Sequence, residues 1–461
     1  MTELNLKKFF FFLLFLSFLF NCFNIIKVNK KFNQNVTNDN KILEHKIIKG
    51  DSLKYWNIAS ELENNFFLFP LEYRNAQLYS KIIFIFSKLT NQNLFDENGN
   101  AILDLKFNIF YFQLIFYFFA LFLLYYSLLK IISTTFIPEL IILILSVDPF
   151  INQVHYAIYT ESIFISLLII FISFFIRLNL TSIKNCLFLG FLLGFLFLQR
   201  AVVIYYIFFL TPLFLIYIQN QKVKSLASLF LGYSFVLFFV ALSSYHSIGK
   251  FRITPTQSED VLYGYLAPNI YAKQNNLTIS KSKEFFFYVK NDELINENNL
   301  NVSNFNDFDS LLKLKKSYAR EIIFKEPLTT IQVLIYNYSK NLFIHYNWVT
   351  EFFNSPGKKN RETIQSIKRD DNFIIKRGVY SLIFLSITFL GFVFSFKILN
   401  SKIILFLSIS GLYYFIVSGW IGNPRYFLPS YLFAELFFGI GFYYLFRKIF
   451  IKIKLIKHNF S

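Results

Sequence analysis

Residues 107–131, FNIFYFQLIFYFFALFLLYYSLLKI, hold no Asp, Glu, Lys or Arg between Lys106 and Lys130. A run of about 20 apolar residues matches the hydrocarbon thickness of a bilayer when coiled as an α-helix. Backbone N–H and C=O groups find no water in lipid, so a spanning segment must satisfy them internally, as a helix or a closed barrel. The run is continuously apolar rather than alternating, which selects the helix over the barrel strand. Similar runs recur near 9–27, 134–148, 154–176, 183–199, 201–219, 225–245, 378–397, 402–421 and 426–446, so about ten spans are expected. The chain is 55% hydrophobic with 65 Phe among 461 residues, a load that soluble domains rarely carry. The fold class is therefore an all-α polytopic membrane protein.

These runs divide the chain into an N-terminal span (1–27), a first polar loop (28–106), a helix bundle (107–245), a second polar region (246–377), C-terminal spans (378–446) and a basic tail (447–461). The formal charge of +18 would suit nucleic acid, but most of the cations lie between the apolar runs. With the N-terminus inside, Lys7, Lys8, Lys130, Arg177, Lys184, Lys222, Lys224, Lys397, Lys402 and the tail from Arg447 fall on the cytoplasmic side. That matches the positive-inside rule, so no nucleic-acid partner is called for. Residues 28–106 and 246–377 then face outward, and 328–348, interrupted by Asn337, Lys340, Asn341 and His345, reads as an interfacial amphipathic helix. Cys22 and Cys186 both sit in apolar runs and form neither a disulfide framework nor a metal-ligand spacing; no metal or other cofactor is expected. The N-terminal run lacks a small-x-small cleavage site and reads as a retained span.

Ionisable residues at membrane depth are costly and tend to mark function. Four places stand out: Asp148 in SVDPF, His155 with Thr160 and Glu161 in HYAIYTESIF, Gln199 and Arg200 in FLFLQRAVVIYY, and Arg425 with Tyr426 in GNPRYFLPSY. All lie at outer span ends under the orientation drawn from the basic loops. Each also has a structural reading. Glu161 and Arg200 can form a buried ion pair, the arginines can snorkel to headgroups, and Asp148 before Pro149 can start a turn. His155 and His246 read as hydrogen-bonded surface groups, since no second ligand stands at helical spacing. Together, outward carboxylates and arginines beside lipid suit chemistry on a phosphate-bearing lipid. The arginine fork matches phosphate oxygens, and a carboxylate can take a proton from an attacking hydroxyl.

Asp51 opens GDSLKYWNIASEL just after the first span, where it is either a helix cap or a catalytic carboxylate at the membrane surface. This stretch, with YTESIF, LQRAVVI, SYHSIGKFRITPTQSEDVLYGYL and NPRYFLPSYLF in that order, resembles the polytopic GT-C glycosyltransferases of the dolichyl-phosphate-mannose protein mannosyltransferase and aminoarabinose transferase type. The chain departs from the family pattern in having one proline in LFPLEYRNAQLYSKI and Ser243-Ser244 where an arginine often stands. The resemblance implies an inverting transferase that moves a sugar from a polyprenyl-phosphate donor to a lipid, glycan or protein acceptor on the non-cytoplasmic face, in a bacterial inner membrane. It gives Asp51 the role of base, with Glu161 and Asp148 as further acids. Tyr55, Arg200, His246, Arg425 and Tyr426 become donor- or acceptor-binding candidates. Tyr55 and Trp56 could stack on sugar, although helical spacing puts Tyr55, Ile58, Ala59 and Leu62 on one apolar face. A transporter or lipid flippase is the alternative, and a non-catalytic scaffold a third.

Overall fold

A computed structural model describes residues 3–36, 51–62, 77–95, 103–132, 136–218, 221–253, 261–301, 305–342, 371–421 and 424–447. The described residues contain no β-strand. The helices are α1 (Glu3–Val36), α2 (Asp51–Glu61), α3 (Gln77–Thr90), α4 (Leu103–Ile131), α5 (Ile137–Val147), the single turn α6 (Pro149–Asn152), α7 (Thr160–Arg177), α8 (Ile183–Gln199), α9 (Tyr206–Tyr217) and α10 (Lys222–Ile248). After α10 come α11 (Ala267–Gln274), α12 (Ile279–Glu284), α13 (Asn291–Glu297), α14 (Phe305–Lys325), α15 (Pro327–Leu342), α16 (Asp371–Ser395), α17 (Ser401–Ile421) and α18 (Pro424–Leu445). Seven of them are long and apolar enough to cross a membrane, carrying Lys7–Lys27, Leu105–Ile131, Thr160–Arg177, Lys222–His246, Gly378–Ser395, Ser401–Ile421 and Arg425–Leu445. The protein is an integral membrane protein of all-α architecture.

An eighth candidate span is bent by 48° between Ile137–Val147 and Pro149–Tyr156. The sequence reading ends one span at 148 and starts the next at 154, whereas the structure puts the break inside one apolar stretch. Proline supplies the cause. Pro149 has no N–H to give the α5 ladder, and it drives Asp148 to φ −58°, ψ 118°, outside the helical region. The carbonyls so freed do not go unpaired. Tyr117 Oη donates to Leu145 O at 2.7 Å, while Ser146 O accepts from Ser17 Oγ (2.8 Å), Asn21 Nδ2 (3.1 Å) and Asn152 Nδ2 (2.9 Å). Tyr156 Oη donates in turn to Asn21 Oδ1. The polar residues of α1 thus face the break, where buried backbone groups require partners.

The main core joins α1, α4, α5, α7, α8, α9, α10, α17 and α18. α8 and α10 approach closely because Gly190 and Gly232 face each other's backbones. A Cβ on Gly190 would stand 2.2 Å from Leu229 O, and one on Gly232 2.3 Å from Leu187 O. Small residues permit such contact between helices in lipid, where apolar side chains alone give little drive to associate. A second core joins α2 and α3 to the start of α4 and to Tyr156, Ile158 and Ile163. Helices α11–α15 form smaller clusters of their own around Tyr263, Phe286 and Leu266.

The two ends of the bundle differ in charge. At one end Lys130 Nζ donates to Arg177 O at 2.9 Å, and Lys402 lies over the Tyr217 ring. Glu161, Arg200 and Arg425 occupy the other end.

Candidate functional site

Glu161 stands in the first turn of α7, where the unsatisfied amides of a helix N-terminus favour an anion. Arg200 links α8 to a 3₁₀ turn (Ala201–Tyr205) in extended backbone, φ −151°, ψ 121°, so its side chain leaves the α8 axis and crosses to α7. Arg425 is the second residue of α18, which packs on α7. These three placements converge. Glu161 Oε1 lies 2.9 Å from Arg425 Nε and 3.4 Å from Arg200 Nη1, with Glu161 only 2% and Arg200 8% exposed. Oε2 accepts from Thr160 Oγ1 at 3.3 Å. Nη1 of Arg200 makes no hydrogen bond of normal geometry among the described residues.

Aromatic rings box the cations. Arg200 Cζ is 4.5 Å from the Tyr426 ring centroid and 5.6 Å from that of Phe164; Arg425 Cζ is 4.8 Å from Tyr159 and 5.6 Å from Tyr426. Cations over ring faces are held by the ring quadrupole, more strongly where water is scarce. Behind this cluster Gln199 Nε2 donates to Thr160 O at 2.9 Å, tying the end of α8 to the start of α7.

The helix that begins at Asp51 shares an apolar core with Ile158 and Ile163, which flank the start of α7. Tyr55 packs edge-on against Tyr79 of α3, and Tyr79 Oη donates to Gln113 Oε1 at 2.9 Å. Burial pushes the Tyr79 phenol well above its ordinary range, and the neighbouring Tyr55 and Glu161 push it the same way. Asp51 is the first residue of α2, and its side chain lies outside the described residues. The face Tyr55–Ile58–Ala59–Leu62 is buried, as helical spacing places it. Trp56 is buried with it and donates from Nε1 to Leu94 O at 2.6 Å. Both aromatic rings of that turn therefore serve the packing of α2.

The remaining candidates are more dispersed. Asp148 caps the turn after the break, accepting from Ile151 N at 2.7 Å on Oδ1 and from Tyr431 Oη at 2.9 Å on Oδ2. Glu435, one turn beyond Tyr431, contacts both Asp148 and Tyr431 and is 2% exposed. Sequence reasoning passed over Glu435, although a lone acid in the run FAELFFGIG carries the same signal as the acids it singled out. His246 is exposed on the last turn of α10 and has no contact with the Glu161 cluster among the described residues. His155 is hydrogen-bonded, as expected, but it is not a surface group. It is fully buried, with Nδ1 2.7 Å from Ser162 Oγ and its ring 4.4 Å from that of Tyr117, because the bent span folds it back onto α4. Among the described residues no three His, Cys, Asp or Glu side chains are grouped to hold a metal ion.

Chemically, the cluster offers arginine donors at a membrane-span end, gathered on one carboxylate and shielded by aromatic rings. No family model matches the chain, and no curated protein does.

Proposed function

We propose that the protein is a polytopic glycosyltransferase of the GT-C type, moving a sugar from a polyprenyl-phosphate donor to an acceptor on the non-cytoplasmic face of a bacterial inner membrane. The observation that carries this reading is the Glu161–Arg200–Arg425 cluster at the bundle end, at the start of α7, where Ile158 and Ile163 share an apolar core with the helix that starts at Asp51. In this reading Arg200 and Arg425 bind the donor phosphate, with Glu161 holding their guanidinium groups in place and Tyr426 flanking both. Asp51 takes the proton of the acceptor hydroxyl as its oxygen bonds to the anomeric carbon. The bond from that carbon to the phosphate oxygen breaks, and polyprenyl phosphate leaves with the electron pair from the opposite side, so the anomeric configuration inverts. Arginine contacts neutralise the leaving group. In this reading the shorter apolar helices Ile183–Gln199 and Ala201–Tyr217 also cross, and with the bent span and the seven long helices they would make the ten crossings expected from the sequence. The basic end of the bundle is then cytoplasmic.

The test is transfer by the purified protein in proteoliposomes with a labelled polyprenyl-phosphate sugar. A general base contributes about 10²–10⁴-fold. Asp51→Ser and Asp51→Asn both keep a good N-cap, so folding should persist while transfer falls by about that factor. Parental transfer by Asp51→Ser would remove Asp51 from the mechanism.

The transporter or flippase reading draws on one specific observation. Broken spans line transport sites, and here the 48° break carries buried Asn152 and adjoins Glu435. The same proteoliposomes discriminate: a transporter moves the labelled lipid across the bilayer without releasing its sugar.

A further inference from the structure

Helix α15 is amphipathic in the wrong sense for water. At about 100° per residue, Val333, Asn337, Thr330 and Asn341 share one face, and Leu328, Ile331 and Ile335 the opposite one. The face bearing Thr330, Asn337 and Asn341 is the buried one. The apolar face is the open one, with Leu328 74%, Ile331 53% and Ile335 59% exposed, and Phe324 at the end of α14 continues it at 78%.

The buried polar face has a structural cause. The last carbonyls of a helix lack partners within it. α15 crosses the end of α17 and supplies two of them: Asn337 Nδ2 donates to Gly419 O at 3.1 Å and Asn341 Nδ2 to Ser418 O at 3.4 Å, while Tyr338 Oη adds a bond to Ile416 O, inside the helix, at 2.9 Å. Gly419 is what lets the helices meet, since a Cβ there would lie 1.9 Å from the Tyr338 ring. With its polar side committed to this cap, α15 has no way to turn its apolar side inward.

We propose that the Leu328–Ile331–Ile335 face of α15 lies in the apolar boundary of the bilayer, making α15 an in-plane membrane helix that anchors the α11–α15 region to the membrane surface. The lipid is chosen as the occupant on three grounds. The face is continuous with a membrane-crossing helix, because α15 docks on α17, whose Leu412, Ile416 and Trp420 are themselves open apolar residues within a candidate span. It docks at the final turn of that span, which is the depth of the headgroup boundary, where in-plane helices bury one face. One flank carries exposed Tyr336, a residue type whose apolar body lies in lipid while the polar tip reaches water. This inference does not rest on the transferase reading.

The experiment is collision quenching of nitroxide labels on single cysteines of the full chain in phosphatidylcholine–phosphatidylglycerol proteoliposomes. Labels at Ile331 and Ile335 are compared with one at exposed Ser310 on α14. Oxygen partitions into lipid and a neutral nickel chelate stays in water. Collisions with oxygen should exceed those with nickel at Ile331 and Ile335, inverting the ratio found at Ser310. A nickel-dominated ratio like that of Ser310 would place the face in water and overturn the proposal. Protection from both reagents would place a protein there, a second copy or a separate partner, and would overturn it equally. Far-UV circular dichroism and gel-filtration profiles matching the unlabelled parent check that each labelled protein retains the fold, the expected result at the open positions of Ile331 and Ile335.

Discussion

Replacing Glu161 with glutamine keeps the size and one carbonyl acceptor of the side chain but removes the charge that buried Arg200 and partly buried Arg425 share. The magnitude follows from the distances. At an effective dielectric of about 20, unit charges 2.9 Å and 3.4 Å apart attract by roughly 6 and 5 kcal/mol. The two guanidinium groups meet the same oxygen and so lie within about 6 Å of each other, a repulsion of roughly 3 kcal/mol. Desolvation consumes most of the remainder. Removing one partner of a buried pair typically costs about 3–5 kcal/mol, because an uncompensated charge is left behind. Glu161→Gln should therefore lower unfolding free energy by about that amount, read from equilibrium denaturation with SDS in mixed micelles. Arg425→Met in the same background should restore part of the loss, since it removes one of the charges left unbalanced; additivity fails for residues in contact. An Glu161→Gln protein within about 0.5 kcal/mol of the parent, or a cycle with coupling below about 0.5 kcal/mol, would refute the view of Glu161 as the counter-charge of the cluster.

Other outcomes follow from single contacts. Arg200→Lys should bind a polyprenyl-phosphate donor less well than the parent by roughly 10-fold or more, since one charged hydrogen bond is worth about 1.5–3 kcal/mol and the fork is lost; equal affinity by equilibrium titration would take Arg200 out of donor binding. Gly190→Val should destabilise by at least about 1–3 kcal/mol because its Cβ would meet the Leu229 carbonyl, whereas Gly378→Ala, with nothing within 4 Å, should be neutral or slightly stabilising; thermal unfolding in detergent compares them. Tyr431→Phe removes the donor to Asp148 Oδ2 and should cost about 1–3 kcal/mol without altering transfer chemistry at Arg200. A cysteine at exposed Ser310 should react with an impermeant thiol reagent in intact cells, and one at exposed Ser401 only after permeabilisation; the reverse pattern would invert the assigned sidedness.

Much of the helical layout is legible as sequence because length and apolarity are enough to define a span. Rotation about each helix axis is a different matter. α4 is apolar on every side, so nothing in its composition tells that Tyr117 is buried while Phe119, two residues on, is 52% exposed. In lipid both faces are apolar, and the amphipathic pattern that locates a core in water loses its meaning. The same loss explains His155. Its placement depends on how far the chain bends after Asp148, and the sequence offers Pro149 as a breaker but not the angle. Glu161 and Arg200 as an ion pair could be anticipated from their types and depth. The entry of Arg425 into the same pair depends on α18 packing against α7, a contact between residues 264 positions apart that no local pattern encodes.

Intramembrane polar residues can be divided by what they serve. Ser17, Asn21, Tyr117 and Asn152 answer the carbonyls released by the break at Pro149. Asn337 and Asn341 answer those at the end of α17. Asp148 answers an amide on the far side of the same break. For each of these the backbone supplies a sufficient reason, since a carbonyl or amide in hydrocarbon needs a partner wherever the helix is interrupted. Glu161 and Arg200 accept from or donate to no such backbone group among the described residues; their charges face each other and a wall of aromatic rings. A helix end needs no buried guanidinium to be satisfied, and replacing a buried ion pair by apolar side chains is often neutral or stabilising. Packing alone therefore gives no reason for this cluster, and it is where a search for the function of the chain should begin.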